Sequence, residues 1–378
     1  MDFMLSAAEK DFKTCCRNFA KERLIPLSEK YGETEDIPKE LIQVMAEAGL
    51  FRLFVPEELG GSGVKALPIC LAREALAGVY CPADVTLAMQ GLGSYPICLA
   101  GVPGQKERYL PKIGSGEWLT TFALTEPEAG SDVNSVRSEA QEQPDGFILN
   151  GTKRFISNGF AAHMAVTFVK TPRPDNPRAL SAFVVEKGTP GFSVTRRMKV
   201  MAPHDLVELK FEHCFIPREN LLGGLGEGFK IATKTLELFR MSVGAAAVGI
   251  GQAAFDAALT YARKRVQFNS PIIRFQAIQL KLADMATELD AARALVYRAA
   301  ILRDRGGAHV SRAASMAKCY ATEAAFRAVD QGLQIHGGMG VVQGSVVERL
   351  YREIRALRIY EGTSEIQRLI IANSFLRD

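Results

Sequence analysis

The chain has 378 residues, 47% of them apolar and 23% charged, enough to bury large cores in two or three domains. Its 46 basic and 42 acidic residues nearly balance at a net charge of +4, and no basic run is interleaved with aromatics, which excludes nucleic acid as the expected partner. The 7 cysteines are odd in number and contain no C-x-x-C, and the 5 histidines contain no H-E-x-x-H, so neither a disulfide framework nor a metal site is expected.

The opening Met1-Asp2-Phe3-Met4-Leu5 carries an acid early and lacks a basic region followed by an apolar core, so no export signal and a cytoplasmic location are expected. Residues 7–31 mix apolar and charged side chains at helical spacing, and residues 38–50 open a second helix with Pro38 at its first turn. Pro56 and Gly60-Gly61-Ser62-Gly63 mark a loop, and residues 69–79 and 105–113 supply further helices. The pattern changes near Trp118. Val207, Leu209 and Phe211 alternate with Glu208, Lys210 and Glu212 at the period of a half-buried strand, and residues 165–169 and 182–185 read as further strands. Asn150-Gly151, set between residues 147–149 and 155–156, predicts a hairpin. Turn-rich residues 222–228 close this β region, and from Phe229 the pattern is helical again, over residues 253–265, 275–303 and 311–335. Small residues between Gly244 and Gly251 suit close helix–helix packing. Residues 241–259 come nearest to a membrane span, but they are mostly Ala and Gly and include Gln252 and Asp256, so a packed soluble helix is expected. The result is an α+β chain in α–β–α order: helical 1–118, β 119–224, helical bundle 225–378. That order argues against a Rossmann sheet, and Gly337-Gly338-Met339-Gly340 lacks the dinucleotide-binding spacing and follows a helix.

Chemistry concentrates in Arg358-Ile359-Tyr360-Glu361-Gly362-Thr363-Ser364-Glu365-Ile366-Gln367-Arg368. An apolar helical run ends at Tyr360, and Ser364 with Gln367 has capping-box spacing, predicting a new helix through Leu369, Ile370 and Ile371. Glu361 then lies in a tight loop among apolar residues, where a poorly hydrated carboxylate has a raised pKa and is a stronger base once ionised. The competing expectation is a surface acid near a helix N-terminus.

Four segments, taken together, resemble the acyl-CoA dehydrogenase family over nearly the whole chain. They are Phe122-Ala123-Leu124-Thr125-Glu126-Pro127-Glu128-Ala129-Gly130-Ser131-Asp132; Gly151-Thr152-Lys153-Arg154-Phe155-Ile156-Ser157-Asn158; Arg265-Val266-Gln267-Phe268 continuing to Phe275-Gln276-Ala277-Ile278-Gln279 and Leu282-Ala283-Asp284-Met285; and Gln334-Ile335-His336-Gly337-Gly338 joined to the Tyr360-Glu361-Gly362-Thr363 loop. The resemblance implies a small β-barrel-like central domain, a C-terminal four-helix bundle, and FAD bound between β domain and bundle. It implies oxidation of an acyl-CoA to its 2,3-enoyl-CoA, with Glu361 as the base, electrons passed to an electron-transfer flavoprotein, and a homotetramer built as a dimer of dimers.

Carried over residue by residue, the resemblance assigns Phe122, Leu124, Thr125, Gly130 and Ser131 to the flavin, with Ser131 also reaching the CoA side. Phe155 and Ile156 pack on the isoalloxazine, with the Ser157 hydroxyl near N5. Arg265 and Gln276 hold the pyrophosphate and adenine end. Gln334, Gly337 and Gly338 approach an FAD of the neighbouring subunit, where glycine lets backbone come near phosphate. Thr363 and Glu365 fall at the adenine side, Glu237 and Arg240 at the CoA arm, and Gly362 next to substrate. The chain departs from the family at Phe155, where Trp is usual, and at Val200-Met201-Ala202-Pro203-His204-Asp205, where a Gly-rich turn is usual. Phe239 occupies the position of the base in the isovaleryl branch, which favours Glu361. Asp84 is either an exposed N-cap or a pocket residue that binds a polar acyl end or acts as a second base, pointing to cyclic or functionalised acyl groups. Rival readings are an acyl-carrier-protein dehydrogenase, an enoyl-CoA reductase, or a silent scaffold that kept the fold.

Overall fold

A computed structural model describes residues 5–173, 176 and 179–376; Met1-Asp2-Phe3-Met4, on which the expectation of no export signal rests, lie outside the described residues. Helix α1 (Ala7–Phe19) begins at Ser6, whose hydroxyl and the Glu9 carboxylate cap each other's backbone. A π-helical turn, Ala20–Leu24, leads into α2 (Ile25–Tyr31), and α3 (Lys39–Glu47) follows Pro38. Next come α4 (Ala66–Ala77), α5 (Cys81–Ala100) and α6 (Pro103–Gly114). Helix α5 was not expected, because Pro82, Gly91, Gly93 and Pro96 all disfavour a helix. Packing overrides propensity: a Cβ on Gly93 would fall 2.4 Å from Thr120 Oγ1, so glycine is what lets the helix approach the strand.

Strands β1 (Thr120–Ala123), β2 (Glu139–Gln143), β3 (Gly146–Ser157), β4 (Met164–Lys170), β5 (Leu180–Glu186), β6 (Phe192–Arg197), β7 (Leu206–Pro217) and β8 (Leu221–Leu222) form one sheet in the order β6-β7-β3-β2-β4-β5-β8, with β1 parallel to β4. The hairpin expected at Asn150-Gly151 is absent. β3 runs through that pair with a bulge between Leu149 and Gly151 against β7, and Gly151 (φ +146°) is required because a Cβ would sit 2.0 Å from Ser138 Oγ. The turn lies just before, where Gln143 pairs with Gly146 across Pro144-Asp145.

Helix α7 (Gly228–Lys264) is 37 residues long. Its length and composition would suit a membrane span, but its apolar window is mostly buried inside the protein, as a packed core helix requires. A short hairpin of β9 (Val266–Gln267) and β10 (Ser270–Pro271) precedes α8 (Gln276–Asp304), α9 (Val310–His336), α10 (Val346–Leu357) and α11 (Ser364–Phe375). The α–β–α order is as expected, but compact units do not follow it. One comprises the described residues of Met1–Lys30, Lys65–Asp84 and Glu237–Asp378, the other Tyr31–Val64 and Val85–Leu236. The first has a core of α7, α8, α9 and α10 side chains such as Ala247, Leu289, Val329 and Ile354. The second packs the sheet with helical side chains including Ile97, Leu110 and Ile231.

Candidate active site

The first unit builds the surroundings of Glu361. Helix α10 ends at Leu357, and the chain turns through Glu361 and Gly362 at φ +53° and +91°. Glycine takes that conformation freely, whereas for glutamate it costs about 1–2 kcal/mol and persists only where neighbours impose it. The neighbours are visible. From α9, Lys318 Nζ donates to the Tyr360 carbonyl at 2.7 Å and to the Gly362 carbonyl. From α11, Gln367 Nε2 donates to the Glu361 carbonyl at 3.2 Å and the Gly362 carbonyl at 2.9 Å. Three successive carbonyls are tied down, while the Glu361 N–H donates to no acceptor among the described residues. The carboxylate Oε2 is shut off from water and also lacks a partner among them. This corrects the expected cap: Thr363 is the N-cap, its Oγ1 accepting the Ile366 N–H at 3.3 Å. Ser364 lies inside α11 and donates to Glu323 at 2.7 Å, which leaves Gln367 to hold the loop.

Burial raises the pKa of Glu361; Arg73, Lys318 and Arg240 pull it back, and Asp84 pushes it up. Arg73 is 2% exposed. Its Nε and Nη2 donate to the two oxygens of Asp84, each at 2.8 Å, and Nη1 to Ser242 Oγ at 2.9 Å. Burial works against the guanidinium charge, but Asp84 more than restores it and holds the Arg73 pKa above its ordinary value. Asp84 is 5% exposed, in the first turn of α5, so the exposed N-cap alternative is overturned: the carboxylate is drawn inside by the guanidinium that neutralises it. Arg240 is buried with Nε unpartnered among the described residues; burial lowers its pKa, opposed by Glu361 and Glu237. Lys318 is fully buried, and burial pushes its pKa down to about 8 against the pull of Glu361. Sequence reasoning missed Arg73 and Lys318. The signal was a single cation inside a small or apolar helical stretch, Leu71-Ala72-Arg73 and Ala317-Lys318-Cys319.

Glu361, Gly362, Thr363 and Glu365 thus share one loop and helix start, with Arg240, Asp84 and half-buried Glu237 in the same charge cluster. Arg265, Gln276 and Gln334 are exposed, just past the end of α7, at the start of α8 and in the last turn of α9. Gly337 (φ +56°) and Gly338 open a 3-10 turn, Gly337–Val341, and a Cβ on either would meet nothing within 4 Å among the described residues. Arg265 has no ion-pair partner among them.

The second unit carries the other predicted residues. Phe122 is half-buried on β1 and Leu124 buried after it. The Arg154 N–H donates to the Thr125 carbonyl at 2.8 Å, which sets that loop beside β3. Fully buried Lys153 donates to the Leu124 carbonyl at 3.1 Å and to Glu126 at 2.7 Å. Glu126 accepts the Arg137 and Ser138 N–H groups at 2.6 and 3.1 Å, closing the loop that exposes Gly130 and Ser131. Phe155 is 55% exposed at φ +58°, Ile156 is buried, and Ser157 Oγ lies 3.4 Å from His204 Nε2. The unusual 200–205 segment now has a purpose. The Asp205 carboxylate accepts the Ala161 N–H at 3.0 Å and its carbonyl the Asn158 N–H at 2.7 Å, bracing the turn after Ser157.

Each unit by itself suits FAD. The second offers an exposed aromatic on a strained strand residue beside a hydroxyl. The first offers open backbone at Gly337 and Gly338 and an unpaired, exposed guanidinium at Arg265, which suit a diphosphate.

Family models described as the acyl-CoA dehydrogenase N-terminal, middle and C-terminal domains match residues 6–117, 121–214 and 226–376. An acyl-CoA dehydrogenase of Bacillus subtilis is 42% identical over 95% of this chain and 96% of its own. An acryloyl-CoA reductase (NADH) of Anaerotignum propionicum is 41% identical over 100% of this chain and 96% of its own. Among solved structures, butyryl-CoA dehydrogenase from Megasphaera elsdenii superposes with a TM-score of 0.94 at 36% identity, covering 100% of both chains.

Proposed function

The chain belongs to the acyl-CoA dehydrogenase family, oxidoreductases acting on CH–CH bonds, and from that premise we propose that Glu361 removes the α-proton of an acyl-CoA thioester as its β-carbon gives up a hydride, leaving the 2,3-enoyl-CoA. The observation that carries this reading is Glu361 itself: a carboxylate with a raised pKa, an oxygen with no protein partner, and a backbone N–H with no protein acceptor among the described residues. The first two suit a base. The free N–H suits the thioester oxygen, where negative charge develops as the α-proton leaves. FAD, when bound, supplies the hydride acceptor. Phe122, Leu124, Thr125, Gly130, Phe155, Ile156 and Ser157 would line its ring. Arg265, Gln276, Thr363 and Glu365 would take its pyrophosphate and adenine end, and Gln334, Gly337 and Gly338 that of a neighbouring subunit. Ser131, Glu237, Arg240 and Gly362 would contact the CoA ester. Asp84, whose two oxygens are held by Arg73, would lie at the acyl end, where that ion pair would suit a cyclic or functionalised acyl group.

An electron-transfer flavoprotein is the proposed acceptor, a homotetramer the proposed assembly, and the cytoplasm the proposed location. Exposed Leu280, Leu369, Phe375 and Leu376 supply apolar surface for subunit contacts. The proposed domain limits are 1–118, 119–224 and 225–378. The reductase relative favours a second reading, in which the same residues run in reverse and Glu361 returns a proton to an enoyl thioester.

Anaerobic flavin bleaching tests the first reading. Wild-type protein should bleach with at least one member of a panel of straight, branched, cyclic and aromatic acyl-CoAs. Glu361→Gln should keep its flavin and bind acyl-CoA but bleach about 10²–10⁴-fold more slowly. The wild-type rate should rise as pH climbs through the raised Glu361 pKa, since only the ionised form accepts a proton. Near-normal bleaching by the variant removes Glu361 as the base.

A further inference from the structure

Lys318 is an unusual residue to bury. A lysine with no exposed surface is costly unless its ammonium is hydrogen-bonded, and its partners are the carbonyls of Tyr360 and Gly362, the residues that flank Glu361. Turn types of similar course differ by the orientation of one peptide plane, so a held carbonyl selects one orientation. A flip of the 360–361 peptide would carry the Glu361 N–H with it. Resting on the reading of Glu361 as the base, we propose that Lys318 is a positioning residue for the reaction: by binding the Tyr360 and Gly362 carbonyls it fixes the 360–361 peptide plane in front of Glu361 and the 362–363 plane beyond Gly362, aims the free Glu361 N–H, and sets a positive charge against the loop that carries Glu361.

The two contributions are separable because Gln367 shares only one of them. It holds the Glu361 and Gly362 carbonyls without carrying charge. The charged and titratable groups facing Glu361 are Arg73 from α4, Asp84 from α5, Arg240 from α7, Lys318 from α9 and neighbouring Tyr360; those facing Lys318 are Glu361, Arg240, Cys319 and Glu365. Among the three cations pulling on Glu361, Lys318 alone also holds its loop.

The test uses purified holoenzyme of Lys318→Met, Lys318→Gln and Gln367→Leu. Each is measured for bleaching rate against pH, for acyl-CoA affinity, and for ionisation of Glu361 by infrared difference against the same variant carrying Glu361→Gln. Lys318→Met should bleach about a hundredfold more slowly, the loss expected of a reacting group displaced by about 1 Å, with acyl-CoA affinity nearly unchanged. The acid limb of its profile and the infrared titration of Glu361 should both move to higher pH, because a cation that favoured the carboxylate is gone. Gln367→Leu should slow bleaching without moving either. If Lys318→Met does not accumulate as holoenzyme, Lys318→Gln makes the same test, keeping an N–H donor without the charge. A slower Lys318 variant whose Glu361 titration stays in place overturns the charge role; an unchanged rate overturns the positioning role. Should Glu361→Gln itself bleach normally, the base assignment fails, yet the infrared shift still reports on Lys318.

Discussion

Glu361 was legible as a single residue because its neighbours in sequence carry the information: a glycine behind it, a helix ending before it and another starting after it. The residues that govern it were not legible, since Arg73, Asp84, Arg240 and Lys318 come from four different helices and their pairing is a property of packing. Asp84 shows the difference. Sequence alone left it either on the surface or in a pocket, and the deciding fact is a bidentate guanidinium eleven positions away on α4. A buried ion pair of this kind holds together strongly against loss of one partner, although its net worth over an apolar pair is small. Asp84→Ala should therefore lower unfolding free energy by about 3–5 kcal/mol by stranding the Arg73 charge, while Arg73→Met combined with Asp84→Leu should recover most of it in chemical denaturation. Asp84→Asn separates structure from substrate. A turnover loss larger on cyclic than on straight-chain acyl-CoA supports the acyl-end assignment, and an equal loss on both reduces Asp84 to a strut.

Among elements, long periodic helices were read well, and strands where alternation was clean (residues 207–212) or where a short β-branched and aromatic run marked a strand buried on both faces (165–169 and 182–185). Where the elements differ from expectation, glycine serves close approach rather than punctuation. Gly151 makes a bulge rather than a turn, and Gly91 and Gly93 lie inside α5. In α7 the small residues were expected to allow close packing, and they do. A Cβ on Gly249 would fall 2.2 Å from the Glu74 carbonyl oxygen of α4, and Gly78 meets the Gly249 carbonyl in return. Both are backbone contacts that no rotamer change relieves. Gly249→Ala should cost about 1–3 kcal/mol through forced separation of the helices, read as a lower melting temperature of the flavin-stripped protein. Gly338→Ala is the matched control, with nothing within 4 Å of the added carbon among the described residues. It should melt like the parent when stripped but bind FAD more weakly, and equal melting temperatures for the two variants would defeat the packing account of α7.

For the molecule as a whole, the α–β–α order follows from the changes of hydrophobic period near residues 118 and 228, but the grouping into compact units does not. Residues 65–84 and 237–378 share one unit although more than 150 residues separate them, and such long-range association depends on which apolar faces fit together, which periodicity does not encode. The residues assigned to FAD are likewise spread along the chain, from Phe122 to Glu365, so cofactor binding should register in global stability. A ligand that binds only the folded state adds about 2.7 kcal/mol at a hundredfold excess over its dissociation constant. Flavin-stripped protein should melt lower than holoenzyme, and its midpoint should climb steadily with added FAD. FMN, which has the ring and one phosphate but no adenosine, tests the division of labour. It can engage the Phe155 side but not Arg265, Gln276, Thr363 and Glu365 in their assigned roles. Its midpoint should therefore rise much less at equal concentration, and Arg265→Ala should narrow the gap by weakening the response to FAD alone. An FMN response equal to that of FAD would strip those four residues of the adenine-side role while leaving the ring-side residues untouched.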